Sequence, residues 1–273
     1  MNFKSIIKKI FKKFNYRLVN LSAQDSNLEN FTNYGTFKKI IKHFKDDKII
    51  IFDIGTNKGQ LLEIFLKLLK DMSLNNFEVH CFEPNPETFK QLKKFQDPKV
   101  IINNIAVGKI EGKKDFYCYG DPKLDSFYQI DKDKLKKPTD SEKLKNKIQV
   151  DVTTISSYCK KNNIEKINLL KIDTEGAEPE CLEGAENMIK ADKIDCLYSE
   201  LLIGKMYKEI EQDISMLEKK LFDKFQLVGI GLNRDFYSEE KFFSIIHSLD
   251  TGNYFFGQTF LYLSKKIINK FRV

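Results

Sequence analysis

Residues 48–54, KIIIFDI, form an apolar run that ends on Asp53 and Ile54 and gives way at once to a glycine-punctuated turn, GTNKG. Such a run, buried on both faces, marks a central strand of a mostly parallel sheet. The turn opens into GQLLEIFLKLLKDM, whose apolar residues recur at helical spacing. Strand, tight turn and helix make one βα step, and from Lys48 onward the step repeats. FEVHCFE reads as a second strand ending at Glu83, and PETFKQLKKF as a helix started by Pro86. KVIINNIAV reads as a third strand and KINLLKID as a fourth, with PECLEGAENMIKA as its helix. IDCLYSEL reads as a fifth, followed by a helix near Met206–Phe222. FQLVGIGL and YFFGQTFLYLS follow as two late strands, separated by an irregular segment with Arg234, Asp235 and His247. The pattern predicts an α/β fold, a doubly wound and mostly parallel seven-stranded sheet with room for an antiparallel edge.

Two stretches depart from this rhythm. Residues 109–152 form an insert in which KKDFYCY and IQVDVTTI read as extra strands around the lysine-rich run IDKDKLKKPTDSEKLKNK, expected to be a solvated loop. Residues 1–47 read as a lead-in to a domain spanning 48–273. Within it Phe3, Ile6, Ile7, Ile10, Phe11 and Phe14 share one helical face and five lysines fill the other. A basic amphipathic helix of this kind can lie on an anionic membrane surface. Packing its stripe on the domain or on a second subunit, which would make a homodimer, is the commoner use.

Five scattered cysteines with no CxxC pair fit buried, reduced thiols better than a disulfide framework or a zinc site. With no secretory signal and no apolar run long enough to span a bilayer, the cytoplasm is the expected compartment, with the inner membrane face as an alternative contact. The net charge of +7 accompanies abundant acids and specifies no nucleic-acid partner. The 23 phenylalanines and 11 tyrosines fall mostly in apolar core patterns.

Ligands of open α/β sheets sit beyond the carboxyl ends of the strands, and three of those ends carry acids. The first opens Asp53-Ile-Gly55-Thr-Asn57-Lys-Gly59, where the glycines permit a tight turn and a close helix start. The motif lacks the G-x-G-x-x-G of phosphate-binding loops and suits a zwitterionic, sulfonium-bearing ligand better than a phosphate. The second is Glu83, 24 residues past Gly59, placed to accept both hydroxyls of a ribose. The third is KIDTEGAE, where Lys171 and Asp173 project to one side of a strand and Glu175 and Glu178 follow on the turn. This cluster could orient a ligand or take a proton. It could equally be a structural ion pair followed by helix-capping glutamates.

DIGTNKG, FEPNPETFKQLKK and KIDTEGAE, in this order and spacing, resemble the FkbM family of S-adenosylmethionine-dependent methyltransferases. VDVTTISSY and NNIAVG add to the likeness, which spans Ile49 to Glu200. The resemblance implies a Rossmann-like class I methyltransferase fold with S-adenosylmethionine as cofactor. It places Asp53, Gly55, Asn57 and Gly59 in the cofactor loop, Glu83 and the adjoining Pro84 at the ribose, Asn104 to Ala106 near the adenine, and Asp173 and Glu175 at the methyl-transfer site. The chain departs from the family at Ile155 and Ser156, where a Leu-Asp pair is usual. The expected reaction is transfer of a methyl group to a hydroxyl of a sugar, glycan or related metabolite. Asp173 or Glu175 would be the base, and Lys171 would tune it or bind the acceptor. No spacing singles out metal ligands. A nicotinamide-dependent oxidoreductase and a nucleic-acid methyltransferase or binding module are the competing readings. The first lacks its glycine fingerprint and the second its catalytic motif.

Overall fold

A computed structural model describes residues 33–134, 139–232 and 255–268. The amphipathic stretch 3–14 and the segment with Arg234, Asp235 and His247 lie outside them. In chain order the regular elements are α1 (Asn33–Lys42), β1 (Ile49–Ile54), α2 (Gln60–Asp71), β2 (Phe77–Phe82), α3 (Pro86–Leu92), β3 (Val100–Asn103), β4 (Ala106–Val107), β5 (Gly112–Tyr119), β6 (Leu144–Thr153), α4 (Ile155–Lys161), β7 (Ile167–Ile172), α5 (Glu178–Gly184), α6 (Glu186–Lys190), β8 (Ile194–Gly204), α7 (Ser215–Leu221), β9 (Phe225–Leu232) and β10 (Phe255–Ser264).

Seven strands form one sheet in the order β3-β2-β1-β7-β8-β10-β9. The pairings from β3 through β8 are parallel, and β10 runs antiparallel to both its neighbours. The antiparallel strand is therefore inserted one place in from the edge, and β9 forms the edge. Alternation along β1 divides the core. Ile49 and Ile51 face a cluster with Phe37, Ile41 and Phe44 and with Phe65, Leu68 and Leu69 of α2. Ile50, Phe52 and Ile54 face a second cluster with α4, α5, α6 and α7. Helices thus cover both faces, the doubly wound arrangement. Part of the stretch read as lead-in, α1, packs its apolar face into this core. Among the described residues no helix is long and apolar enough to cross a membrane. All five cysteines are buried and free.

Four expected elements differ. KVIINNIAV divides into β3, which joins the main sheet, and β4, which pairs with β6 in a second sheet of order β4-β6-β5. The run expected to be loop becomes strand from Leu144, because Leu144 pairs with Tyr119 and extends the β5–β6 ladder. PECLEGAENMIKA is two short helices joined at Ala185. Only Ser215–Leu221 of the expected Met206–Phe222 helix is helical. Met206 and Tyr207 are instead buried in the preceding loop against Tyr119 and Ile130 of the insert. Tertiary burial, not helical periodicity, accounts for those apolar residues.

Candidate active site

The strand order reverses between β1 and β7, and the crevice opened there at the carboxyl ends of the strands is where this class of sheet binds ligands. Gly55 leaves β1 at φ +74°, and a Cβ there would stand 1.8 Å from the carbonyl oxygen of Asp173. Only glycine lets the first turn pass so close to the end of β7. The turn is tied to β2 as well: the N–H groups of Gly55 and Thr56 both donate to the carbonyl of Phe82 at 3.1 Å.

This geometry presents backbone donors to Glu83. The N–H of Asn57 donates to Oε2 at 2.9 Å and that of Asn85 to Oε1 at 2.8 Å. Each carboxylate oxygen keeps acceptor capacity for one more donor. Burial pushes the Glu83 carboxyl up to about 7, against the opposing pull of the two N–H groups.

Lys171 and Asp53 sit side by side in the β1–β7 register, Nζ to Oδ1 2.9 Å, both sealed from solvent. Lys171 also donates to the carbonyl of Gly55 at 2.7 Å and of Ile54 at 3.1 Å, and lies 3.6 Å from Asp173. Its bonds to the two carbonyls and its contact with Asp53 pin the turn, and it faces Asp173 with positive charge. Beyond it Asp173, Glu175 and Glu200 bring one carboxylate oxygen each within 4.8 Å of one another, a spacing that could hold a cation. Burial, then the charge of Asp173, drives both Glu175 and Glu200 well above the usual carboxylate range. The Tyr207 hydroxyl donates to Glu175 at 3.3 Å. Glu178 is a structural group: it accepts from the N–H of Thr174 at 2.7 Å and of Gly176 at 3.0 Å.

These residues surround a cleft of about 480 Å³. Of those singled out in the sequence, Gly55, Asn57, Glu83, Pro84, Ala106, Lys171, Asp173 and Glu175 line it. Asp53, Gly59 and Asn104 do not. Asp53 lies beneath the lining, paired with Lys171. Gly59 packs against Phe95, whose ring would meet a Cβ at 2.5 Å. Asn104 turns its amide back onto the carbonyls of Glu83 and Pro84, at 2.8 and 3.0 Å, and so shapes the wall from behind.

The Methyltransferase FkbM domain matches residues 53–225, more than half of the chain. The chain belongs to the FkbM methyltransferase family. Among curated proteins it is 22% identical to the 2-O-methyltransferase NoeI of Sinorhizobium fredii, over 63% of this chain and 70% of NoeI. It is 29% identical to Methyltransferase 1 of Beauveria bassiana, over 59% and 68%. It also matches a probable GTP 3',8-cyclase of Methanocaldococcus jannaschii at 34% identity, over 37% of this chain and only 32% of that protein. Similar solved structures include a putative S-adenosylmethionine dependent methyltransferase from Listeria monocytogenes, with TM-score 0.41, 6% identity and coverage of 84% and 99%. Another is the plantazolicin methyltransferase BamL in complex with a desmethylPZN analog and SAH, with TM-score 0.42, 8% identity and coverage of 96% and 91%.

In this FkbM domain the insert completes the cleft. Its sheet folds back so that Phe116 and Phe127 pack with Ala106 and Ala177 over the strand ends. Phe116, Phe127 and Asp125 line the cleft, as does Glu200 from β8. Sequence reasoning missed all four. Glu200 had a signal, since it too lies at the carboxyl side of a strand read correctly. The insert residues had none, because their place depends on a fold-back that no local period encodes.

Proposed function

We propose that the protein transfers the methyl group of S-adenosylmethionine to a hydroxyl oxygen, on a sugar, a glycan or a related small metabolite. The observation that carries this reading is that Glu83, with one backbone N–H on each carboxylate oxygen, shares a single cleft with the half-buried carboxylate of Asp173. The donor set fits the cofactor: an oriented acid for two ribose hydroxyls, and a glycine turn without the phosphate-binding fingerprint. When bound, S-adenosylmethionine supplies an electrophilic methyl carbon on its sulfonium. Glu83, Asn57 and Gly55 would hold the nucleoside end, and much of the catalysis would be positioning.

Asp173 accepts the proton that the acceptor hydroxyl loses. It is preferred to Glu175, whose burial favours the neutral form and whose Oε2 already accepts from Tyr207. The ammonium of Lys171 stands 3.6 Å from the Asp173 carboxylate. The likeness to NoeI, a 2-O-methyltransferase, supports an oxygen acceptor.

The test has two parts. Calorimetric titration with S-adenosylhomocysteine, NAD and NADP is expected to give binding of the first alone. Preference for a nicotinamide would overturn the cofactor reading. Asp173→Asn is expected to lower turnover on a hydroxylated glycan panel by about 10²–10⁴-fold with S-adenosylhomocysteine affinity retained. Near-normal turnover in that variant would remove Asp173 as the base.

A further inference from the structure

Asp125 is a carboxylate buried in the wall of the cleft, contributed by the insert rather than by a strand of the main sheet. Its two oxygens are fixed by neutral donors. The N–H of Tyr119 reaches Oδ1 at 2.7 Å, and the side-chain amide of Asn85 reaches Oδ2 at 2.6 Å. The same Asn85 donates its backbone N–H to Glu83, so one residue ties the two acids together on one wall. Each oxygen of Asp125, like each of Glu83, retains acceptor capacity. Pro84, Ala106, Phe116 and Phe127 line the same cleft, together with Lys123, and the apolar four supply a surface suited to a flat heterocycle.

Resting on the cofactor reading above, we propose that Asp125 selects the base of the cofactor, its carboxylate accepting a hydrogen bond from the exocyclic amine of adenine. The argument is one of donors. The adenosyl group offers three donor groups, two ribose hydroxyls and the amine. Glu83 takes the hydroxyls, and a carboxylate can only accept. The amine is the donor left for a second, rigidly held acceptor beside an apolar slot. A purely structural Asp125, present to satisfy Tyr119 and Asn85, would be indifferent to what the purine carries at that position.

The test compares S-adenosylhomocysteine with S-inosylhomocysteine, which carries a carbonyl oxygen in place of the amine. The unaltered protein is expected to bind the first at least about ten-fold more tightly, since a hydrogen bond to a charged group is lost and an oxygen is set against the carboxylate. Asp125→Asn is expected to narrow that ratio to about three-fold or less, its amide now able to donate to the carbonyl oxygen. Glu83→Gln is expected to weaken both ligands by the same factor and leave the ratio unchanged. Asp125→Ala, with the same expected narrowing, replaces Asp125→Asn if the latter does not fold. Equal binding of the two ligands by the unaltered protein overturns the inference and leaves the cofactor reading standing. So does a ratio unmoved by either Asp125 variant. Failure of S-adenosylhomocysteine to bind the unaltered protein overturns the cofactor reading beneath it.

Discussion

The ammonium of Lys171 lies 2.9 Å from a carboxylate oxygen of Asp53 on the neighbouring strand, and the same ammonium holds the carbonyl of Gly55 at 2.7 Å. One buried cation therefore joins the first strand, the turn that follows it and, at 3.6 Å, the Asp173 carboxylate. Burial alone would lower the pKa of Lys171, but Asp53 and then Asp173 reverse that and leave it raised. Removing one partner of a buried pair costs more than removing both, because the survivor is left charged without compensation. Lys171→Met is expected to destabilise the fold by roughly 3–5 kcal/mol, and Lys171→Met combined with Asp53→Leu by less than that. Denaturant unfolding of the two variants measures the difference. A single variant as stable as the unaltered protein would show that the pair is not the pin described.

With Glu83 at the ribose as proposed, its raised pKa, about 7, is expected to make cofactor affinity pH-dependent. In the proposed role ionised Glu83 would accept two hydroxyl donors, so affinity for S-adenosylhomocysteine is expected to be level above pH 8 and to fall about ten-fold per pH unit well below 7. Glu83→Gln should bind weakly with this pH dependence gone. The sign for the free protein is opposite. The folded-state pKa lies above the ordinary value of 4.5, so between 4.5 and 7 the native state holds more protons than the unfolded one. Stability from this group falls as pH rises through that window, and Glu178, also near 7, adds to the fall. A pH-independent affinity in the unaltered protein would overturn the combination of a Glu83 carboxyl titrating near 7 and a Glu83 that holds the ribose.

After burial, the charge of Asp173 is the largest influence raising the pKa of both Glu175 and Glu200. Asp173→Asn removes it, so both glutamates are expected to titrate at lower pH in that variant. Carbon-13 detection of the glutamate carboxyls follows the shift directly. Unchanged titration would show that burial alone sets their state.

What could be read in the residues, and what could not, follows from the range of the forces involved. Ile49–Ile54 and Ile167–Ile172 are buried along their whole length, so a bare apolar run locates them, and the acids just past such runs, Glu83 and Asp173, mark the cleft. Asp53 misled for the same reason: its strand-end position is shared by groups that line a ligand site and by groups that pair underneath it, and only the register with Lys171 separates the two. Asn104 turned inward because two carbonyls of the neighbouring strand end lie within reach. The placement of β10 between β8 and β9 is a long-range pairing choice with no local trace. Asp125 and Phe127 depend on how a small second sheet folds over the first.

The close passage at Gly55 permits a last comparison within one protein. Gly55 and Gly112 both have positive φ, +74° and +144°. A Cβ at Gly55 would meet the Asp173 carbonyl oxygen at 1.8 Å, whereas one at Gly112 would meet nothing within 4 Å. Gly112→Ala therefore carries backbone strain alone, roughly 1–3 kcal/mol, and should leave S-adenosylhomocysteine affinity unchanged. Gly55→Ala carries that strain and must also force β1 and β7 apart at their ends, moving Asn57 away from Glu83 and Asp173 away from Lys171. It is expected to cost more stability than Gly112→Ala and to lower affinity by at least about ten-fold, equivalent to roughly 1.4 kcal/mol. Denaturant unfolding and titration of the two variants side by side separate strain from displacement. Equal losses of stability with affinity intact in both would show that the turn tolerates a side chain and that its closeness to Asp173 is not required for binding.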